Sequence, residues 1–224
     1  AFRTGRDLHA GLAQRIFGGQ LDDRRKGTTR LAAKAINFGI PMGMTAVGLS
    51  VELRKNGVQA DEDDAQKWLD ETMALYKQVP VYQDQKAAEA ARQGYVRCLS
   101  GRIRYIGGIR SRDERIREEA KRFAFSTPIQ EGAQLVMKQA ETSLYDDILV
   151  PYWRQGQWVE PLIQIHDALT LECAEDWDLA LDLNTKMQAV MTRLPTGFSV
   201  PIETSGDWGW NWADMESFSI LEGK

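Results

Sequence analysis

The stretch TTRLAAKAINFGIPMGM, residues 28–44, limits where one helix can run and where it must end. Arg30, Lys34 and Phe38 recur every four residues, so a helix would project their side chains from one face. Pro41 lies between two glycines and lacks an amide hydrogen, which weakens any helix that reaches it. The stretch therefore predicts a helix from about residue 28 that presents two cations and an aromatic ring, and that ends near Pro41.

Two interpretations of this helix face are open. The forked guanidinium of Arg30 and the point charge of Lys34 suit a polyphosphate, and Phe38 offers a flat surface for a sugar or a base. The more common outcome of such a pattern is a solvated basic face with Phe38 in the core. Other residues already give the helix an apolar side, however: Ala32, Ala33, Ala35 and Ile36.

Length and composition indicate a globular protein with one large domain or two small ones, since 224 residues are 43% hydrophobic. The sequence has no apolar run of about 18 residues and its start lacks a signal-peptide pattern, so we expect a cytoplasmic protein without a membrane segment. The net charge of -4 argues against a dedicated nucleic-acid coat protein, although residues 97–122 hold nine basic residues against four acidic ones. Cys98 and Cys173 lack the spacing of a zinc site.

Periodicity and capping signals predict a mostly helical chain with two hairpins. Helices are expected at about 7–17, 28–44, 61–79, 80–94, 112–125, 127–148 and 175–193. Hairpins are expected at about 95–106 and 162–172, and residues 198–204 resemble a strand. Asp7 is a candidate N-cap, and Thr127 followed by Pro128 and Gln130 forms a capping-box pattern, so a new helix is predicted to begin there.

The run PLIQIHDALTLEC, residues 161–173, predicts two short apolar strands that meet at His166 and Asp167. The flanking apolar residues would anchor both strands in a core: Ile163, Ile165, Leu169 and Leu171. A carboxylate held rigidly at the apex of such a turn suits a metal ion. Asp is also common in turns without any function, and taken alone this second interpretation is the more frequent one.

In their order along the chain, these segments resemble DNA polymerase family A, the bacterial DNA polymerase I type. RLAAKAINFGIPMGM is similar to motif B of the fingers, Arg-x-x-x-Lys-x-x-x-Phe-Gly-x-x-Tyr-Gly, and QIHDALTLE is similar to motif C of the palm, usually His-Asp-Glu. Met42 stands at the motif B tyrosine and Ala168 at the motif C glutamate, and the Pro41-Met42 pair looks more like phage polymerases. Four further segments match in the same order: AFRTGRDLHAGLAQRIFG, LSGRIRY, RFAFSTPIQEGA and PIETSGDWGW.

The resemblance implies a role for each matching residue. Asp167 would bind Mg²⁺ or Mn²⁺ and act in catalysis together with Lys34, which would contact the phosphates of the nucleotide. The incoming nucleotide would be bound by Arg30, Lys34, Phe38, His9 and Met42. The DNA would be contacted by Arg122, Gln130, His166, Arg102 and Arg104.

The resemblance also implies the fold, the reaction and the partners. We expect an α/β fold in the broad α+β sense, with a mostly helical fingers subdomain at 1–120 and a palm subdomain with an antiparallel sheet at 121–224. The function would be template-directed transfer of nucleotides from dNTPs to a primer 3′ hydroxyl on primer-template DNA, in a bacterial or phage-infected cell.

Motif A and the thumb of this family would precede Ala1, so we expect a fragment that is inactive as an isolated chain and needs the N-terminal remainder. The alternative is a non-catalytic nucleic-acid-binding or assembly subunit that needs a partner chain to supply motif A. A nucleotide-binding domain unrelated to polymerases is a third possibility, but it does not account for the order of the segments.

Overall fold

The structure is a computed structural model that describes residues 7–17 and 26–218, without the side chains of residues 26–28. The chain divides into two compact units, which meet in sequence at Gly132 and Ala133. The described part is mostly helical, with two-stranded antiparallel sheets. This confirms the predicted α+β class, whereas the assignment of residues 1–120 and 121–224 to fingers and palm stays a prediction. No helix within these described ranges is both long and apolar enough to cross a membrane.

The first unit is built from helices and one short hairpin. Its elements are α1 (Leu8–Phe17), α2 (Lys26–Gly39), α3 (Ala46–Lys55), α4 (Glu62–Leu75), α5 (Gln78–Gln93), β1 (Tyr95–Arg97), β2 (Ile103–Tyr105) and the first part of α6 (Glu114–Ser143). One core joins α1 to α4 and buries Ile36 and Leu49 completely, with Leu12 and Leu69 nearly so. A smaller core under the hairpin centres on Val96.

Local capping explains where several of these helices begin and end. Asp7 caps α1 as predicted, because its Oδ1 accepts hydrogen bonds from the amides of His9 at 2.9 Å and Ala10 at 3.0 Å. Asp61 and Asp64 form a reciprocal capping box at the start of α4. Gly94 ends α5 with a left-handed φ of 82°.

The end of α2 lies where the sequence predicts it. The helix stops at Gly39, and the backbone then turns so that the Met44 amide donates to the Gly39 carbonyl at 2.9 Å. The side chain of Gln83 on α5 donates to the Ile40 carbonyl at 2.9 Å, and the Gly43 amide donates to the same carbonyl at 3.0 Å. The weakened end of α2 is therefore a packed turn.

The predicted helix start at Thr127 is wrong. α6 runs without interruption from Glu114 to Ser143, and Pro128 lies inside it. Pro128 removes the amide that would donate to Ala124, and the Tyr82 hydroxyl donates to the neighbouring Phe125 carbonyl at 3.0 Å. Buried residues precede and follow the proline, so packing along the whole helix overrides the local cap signal: Ala120, Ala124, Phe125, Met137 and Ala140.

The second unit packs helices against a hairpin. It contains the rest of α6, a π-helical segment (Leu144–Leu149), α7 (Val150–Arg154), β3 (Val159–Ile165), β4 (Ala168–Cys173), α8 (Trp177–Met191), β5 (Asp207–Trp208) and β6 (Glu216–Ser217). Its core is formed by Leu144, Ile148, Leu149, Tyr152, Val159, Leu179, Leu183 and Val190. The strand expected at 198–204 is wrong, since these residues form no strand and Pro201 in their middle has no amide hydrogen to donate.

The hairpin of β3 and β4 forms as predicted, but only one of its faces is anchored in the core. Ile165 pairs with Ala168, so the intervening turn consists of His166 and Asp167. Leu169 and Leu171 pack against the core of the second unit. Ile163 and Ile165, expected in that core, are instead 47% and 42% exposed. Their register places them on the opposite face, because side chains alternate along a strand.

Candidate functional site

The packing of α1 against α2 brings four of the predicted site residues together. The ring centroids of His9 and Phe38 lie 5.9 Å apart. The Lys34 ammonium lies 5.8 Å from the centroid of the Phe38 ring. Phe38 is 60% exposed, which excludes the interpretation that it belongs to the core. The face of α2 therefore presents a cation and an open aromatic surface beside an imidazole.

Arg30 on this face is held by the residue that caps α1. Its Nε lies 2.9 Å from Oδ2 of Asp7, while the other oxygen of Asp7 accepts the two amides of α1. The hydrogen bond from the Ala10 amide and then the one from Arg30 lower the pKa of the Asp7 carboxyl below its ordinary value. The contact uses one of the five N–H donors of the guanidinium, so it orients Arg30 and leaves it capable of binding an anion.

His9 is connected to α2 and α4 through its Nδ1 atom. The Asn37 side-chain nitrogen lies 3.0 Å from Nδ1, and the Asn37 oxygen accepts a hydrogen bond from the Tyr76 hydroxyl at 3.1 Å. Partial burial lowers the pKa of His9, the cations Arg30 and Lys34 lower it further, and Asp7 opposes them. The lowered pKa favours the neutral imidazole at pH 7.

An open groove of about 390 Å³ continues from this face along α2 and α3. Its lining is formed by Leu31, Lys34, Ala35, Phe38, Gly39, Met42, Met44, Glu52 and Asn56. The groove is mainly apolar and has the Lys34 cation at its margin. Met42, predicted to contact the nucleotide, therefore shares this groove with Lys34 and Phe38. The Gln130 amide lies 3.7 Å from the Met42 sulfur.

The basic residues predicted to bind DNA lie mostly in the first unit. Arg102 and Arg104 are exposed, Arg102 after the turn and Arg104 in β2. Arg122 packs its side chain beside Gly43, since a Cβ at Gly43 would lie 3.0 Å from the Arg122 Cγ atom. Arg122 and Gln130 thus flank the turn that follows α2.

Asp167 and His166 belong to the second unit, where they form the exposed turn between β3 and β4. His166 has a φ of 53°, a conformation that His adopts more readily than most residues. Carboxylate oxygens are ligands that Mg²⁺ prefers, so the exposed Asp167 suits one coordination position. The described residues contain no group of three potential metal ligands, and Asp167 alone does not complete a site.

Asn37 and Tyr76 are the members of this site that the sequence did not reveal. Asn37 is a polar residue between Ile36, which is buried, and Phe38, which is exposed. This position in the sequence indicates only weakly that Asn37 belongs to the site. Tyr76 lies in the stretch predicted as a helix at about 61–79. It is 39 residues from Asn37 in sequence, so only the folded chain shows that they meet.

Comparison with known proteins identifies several relatives. The family model described as DNA polymerase family A matches residues 1–214. The chain is 35% identical to DNA polymerase I of Pseudomonas aeruginosa over 214 residues, which are 95% of this chain and 22% of that protein. It is 32% identical to the thermostable DNA polymerase I of Thermus filiformis over 216 residues, which are 96% of this chain and 24% of that protein. The chain thus spans less than a quarter of each of these two relatives.

A solved structure has the same fold. The POL domain of Pol1 from M. smegmatis, in complex with a DNA primer-template and dNTP, matches with a TM-score of 0.72 and 26% sequence identity. The match covers 91% of this chain and 34% of that one.

Proposed function

The chain belongs to DNA polymerase family A, and on this premise we propose that it forms the nucleotide-binding part of a template-directed DNA polymerase. The reaction is transfer of a nucleotide from a dNTP to a primer 3′ hydroxyl. The observation that carries this proposal is the common face of His9, Arg30, Lys34 and Phe38 on α1 and α2.

The cations of this face suit the triphosphate of a dNTP. Lys34 and Arg30 lie one helical turn apart, and Lys34 attracts a phosphate charge at 4 Å by about 1 kcal/mol in water. The Asp7 carboxylate beside Arg30 offsets part of the attraction of that cation. Lys34 binds the phosphates and donates a proton to the leaving pyrophosphate, while Arg30 and His9 hold the triphosphate tail. Because these contacts are exposed, the chain alone binds a dNTP weakly.

Phe38 and the groove suit the nucleoside. The exposed Phe38 ring packs on the deoxyribose, and Met42 lines the adjoining apolar groove. A thioether at this position contacts a base without the fixed plane of a tyrosine ring. Arg122, Gln130, Arg102, Arg104 and His166 contact the DNA, the arginines through phosphates and therefore without reading the sequence.

Asp167 is one ligand of a divalent-metal site that is completed from outside the described residues. Mg²⁺ or Mn²⁺ bound there supplies charge neutralisation at the phosphates and activation of the primer hydroxyl. The exposed apex of the hairpin leaves the carboxylate open to the other components of such a site. We infer that a segment carrying motif A provides the missing carboxylate and that the chain by itself does not extend primers.

A second candidate function is a nucleic-acid-binding or assembly subunit without catalysis. The lack of a three-ligand metal group among the described residues favours it. The two functions predict different results when a family A segment with motif A and the thumb is added to the chain. A catalytic chain then extends primers, whereas an assembly subunit does not.

Binding of dATP to the full chain, measured by isothermal titration calorimetry, tests the proposal directly. Lys34→Ala should weaken binding by about fivefold, the equivalent of about 1 kcal/mol. Lys67→Ala is the matched control, because it removes an exposed cation of α4 that lies outside the site. Equal affinities for Lys34→Ala and Lys67→Ala would overturn the assignment of this face to the triphosphate.

A further inference from the structure

We propose that Asn37 and Tyr76 are positioning residues that hold His9 in the tautomer with its proton on Nε2, so that Nε2–H donates to a nucleotide phosphate oxygen. The inference rests on the proposed function for the identity of the ligand. It adds two residues, neither of which touches the ligand, that determine which imidazole nitrogen can donate.

The geometry is a chain of three side chains from three helices. Tyr76 at the end of α4 donates to Oδ1 of Asn37 at 3.1 Å, and the Asn37 Nδ2 atom lies 3.0 Å from Nδ1 of His9. An amide nitrogen can only donate, so Nδ1 of a neutral His9 must be the acceptor in this arrangement. The proton of the neutral ring then resides on Nε2.

The orientation of the Asn37 amide decides the tautomer. A phenol donates more readily than it accepts, and an amide oxygen is the better acceptor of the two Asn37 atoms that could face Tyr76. Burial raises the pKa of Tyr76, so the hydroxyl keeps its proton for this donation. The oxygen of Asn37 therefore faces Tyr76, and its nitrogen faces His9.

The same contact also directs the ring of His9. The two imidazole nitrogens lie on different sides of the ring, so a hydrogen bond at Nδ1 turns Nε2 away from Asn37. Partial burial and then the cations Arg30 and Lys34 lower the pKa of His9 against the opposing effect of Asp7, which favours the neutral ring and makes the choice of tautomer matter. A neutral ring with the proton on Nδ1 would instead present a lone pair at Nε2, which repels a phosphate oxygen.

Nitrogen-15 NMR of the full chain measures the tautomer directly. The sequence contains two histidines, so the two sets of imidazole signals are assigned by the variant His166→Gln. We expect His9 to show an unprotonated Nδ1 and a protonated Nε2. Protonation of Nδ1 in the wild-type chain would overturn the proposal.

Two variants test the positioning role. Asn37→Leu removes the donor to Nδ1, and its two His9 nitrogen resonances should move towards each other as the tautomers exchange. Tyr76→Phe removes one hydroxyl at nearly constant shape. It should shift the two His9 nitrogen resonances in the same direction as Asn37→Leu does, but by a smaller amount. If either folded variant retains the wild-type His9 signals, the role assigned to the residue it alters is wrong. Should Asn37→Leu fail to fold, Tyr76→Phe still decides the question.

A matched control comes from another partly buried tyrosine of the same unit. Tyr82→Phe removes a hydroxyl that donates to the Phe125 carbonyl and should leave the His9 signals unchanged. A shift of the His9 signals in Tyr82→Phe equal to that in Tyr76→Phe would show a general effect of destabilisation, and would overturn the inference.

Titration with dATP separates the inference from the proposed function. In the wild-type chain the Nε2 signal of His9 should shift on binding, and Asn37→Leu should bind dATP about fivefold more weakly, as expected for the loss of one hydrogen bond. If dATP leaves the His9 signals unchanged although the tautomer is as stated, the donation to phosphate is overturned. The positioning of the ring by Asn37 and Tyr76 would stand in that case.

Discussion

Gly43 lies against Phe125 so closely that a Cβ atom at residue 43 would be 2.6 Å from Cζ of the ring. Gly43 also has a φ of 72°, in the left-handed region that side chains disfavour. The turn after α2 can therefore approach α6 only because residue 43 has no side chain.

We predict that Gly43→Ala destabilises the protein by roughly 2 kcal/mol or more. The left-handed backbone costs about 1–2 kcal/mol for a residue with a Cβ, and overpacking against Phe125 adds to this. Urea unfolding followed by circular dichroism measures the loss. Gly11→Ala is the control, because nothing lies within 4 Å of a Cβ at this helical position and the change should stabilise α1 by about 0.5–1 kcal/mol. Equal effects of the two changes would refute the packing argument.

We predict that Asp7→Asn makes the stability of the protein less sensitive to acid. The pKa of Asp7 is lowered in the folded state, so its contribution is present at neutral pH and is lost as the pH falls from the unfolded value through the folded value. Asparagine still caps the helix but lacks the charge that Arg30 pairs with. Urea midpoints between about pH 5 and about pH 3 should therefore decline less steeply in the variant than in the wild type.

The control for this prediction is Asp84→Asn, which neutralises an exposed carboxylate on α5. Its acid dependence should follow that of the wild type. A wild-type slope in Asp7→Asn would mean that the contact with Arg30 does not depend on the charge of Asp7.

We predict that Pro128→Ala stabilises the protein by about 1–2 kcal/mol. A proline inside a helix costs about 3 kcal/mol, so its removal should stabilise α6, and the loss of the buried proline ring offsets part of this stabilisation. The change also restores an amide that can donate to the Ala124 carbonyl. Pro151→Ala, at the start of α7 where proline is well tolerated, should bring no gain in the same urea experiment.

We predict that Asp167→Asn lowers metal-dependent primer extension by at least about a thousandfold in the polymerase assembled with a motif A segment, because a metal ion supplies several kcal/mol of charge stabilisation. The residue is exposed, so the folding stability should stay unchanged. Glu172→Gln, on β4 of the same hairpin, should retain activity. Primer extension at the wild-type rate by Asp167→Asn would refute the assignment.

Local chemistry in the sequence predicted several helix ends correctly, whereas α3 and α7 were not predicted. The Asp7 cap and the stop before Pro41 depend on a few neighbouring residues, so they can be read from the chain itself. The false start at Thr127 shows the limit of this approach. A helix cap contributes about 1 kcal/mol to stability, and the burial of apolar residues on both sides of Pro128 stabilises the continuous helix by more than this.

The hairpin of β3 and β4 was located correctly, but its faces were not. A two-residue turn pairs Ile165 with Ala168 and Gln164 with Leu169, so odd-numbered residues of the two strands point to opposite faces. The turn length thus already contained the information that Ile163 and Leu169 cannot share a core. Hydrophobicity alone, without the strand register, predicts that Ile163 and Leu169 lie in the same core.

The contacts around His9 could not be derived from the sequence. Asn37 contacts His9, which is 28 residues away in sequence, and Tyr76, which is 39 residues away. No periodic pattern in the sequence connects the three residues. Such side-chain networks depend on how α1, α2 and α4 pack, which the pattern of apolar residues limits only coarsely.

The exposed face of the hairpin also affects how the chain behaves at high concentration. Ile163, Ile165 and the neighbouring Leu162 are exposed on β3, which pairs only with β4 among the described residues. A strand with an open edge and apolar side chains is a template on which further copies can add. The purified chain should therefore aggregate through β3 as its concentration rises, and Ile163→Lys should make it more soluble.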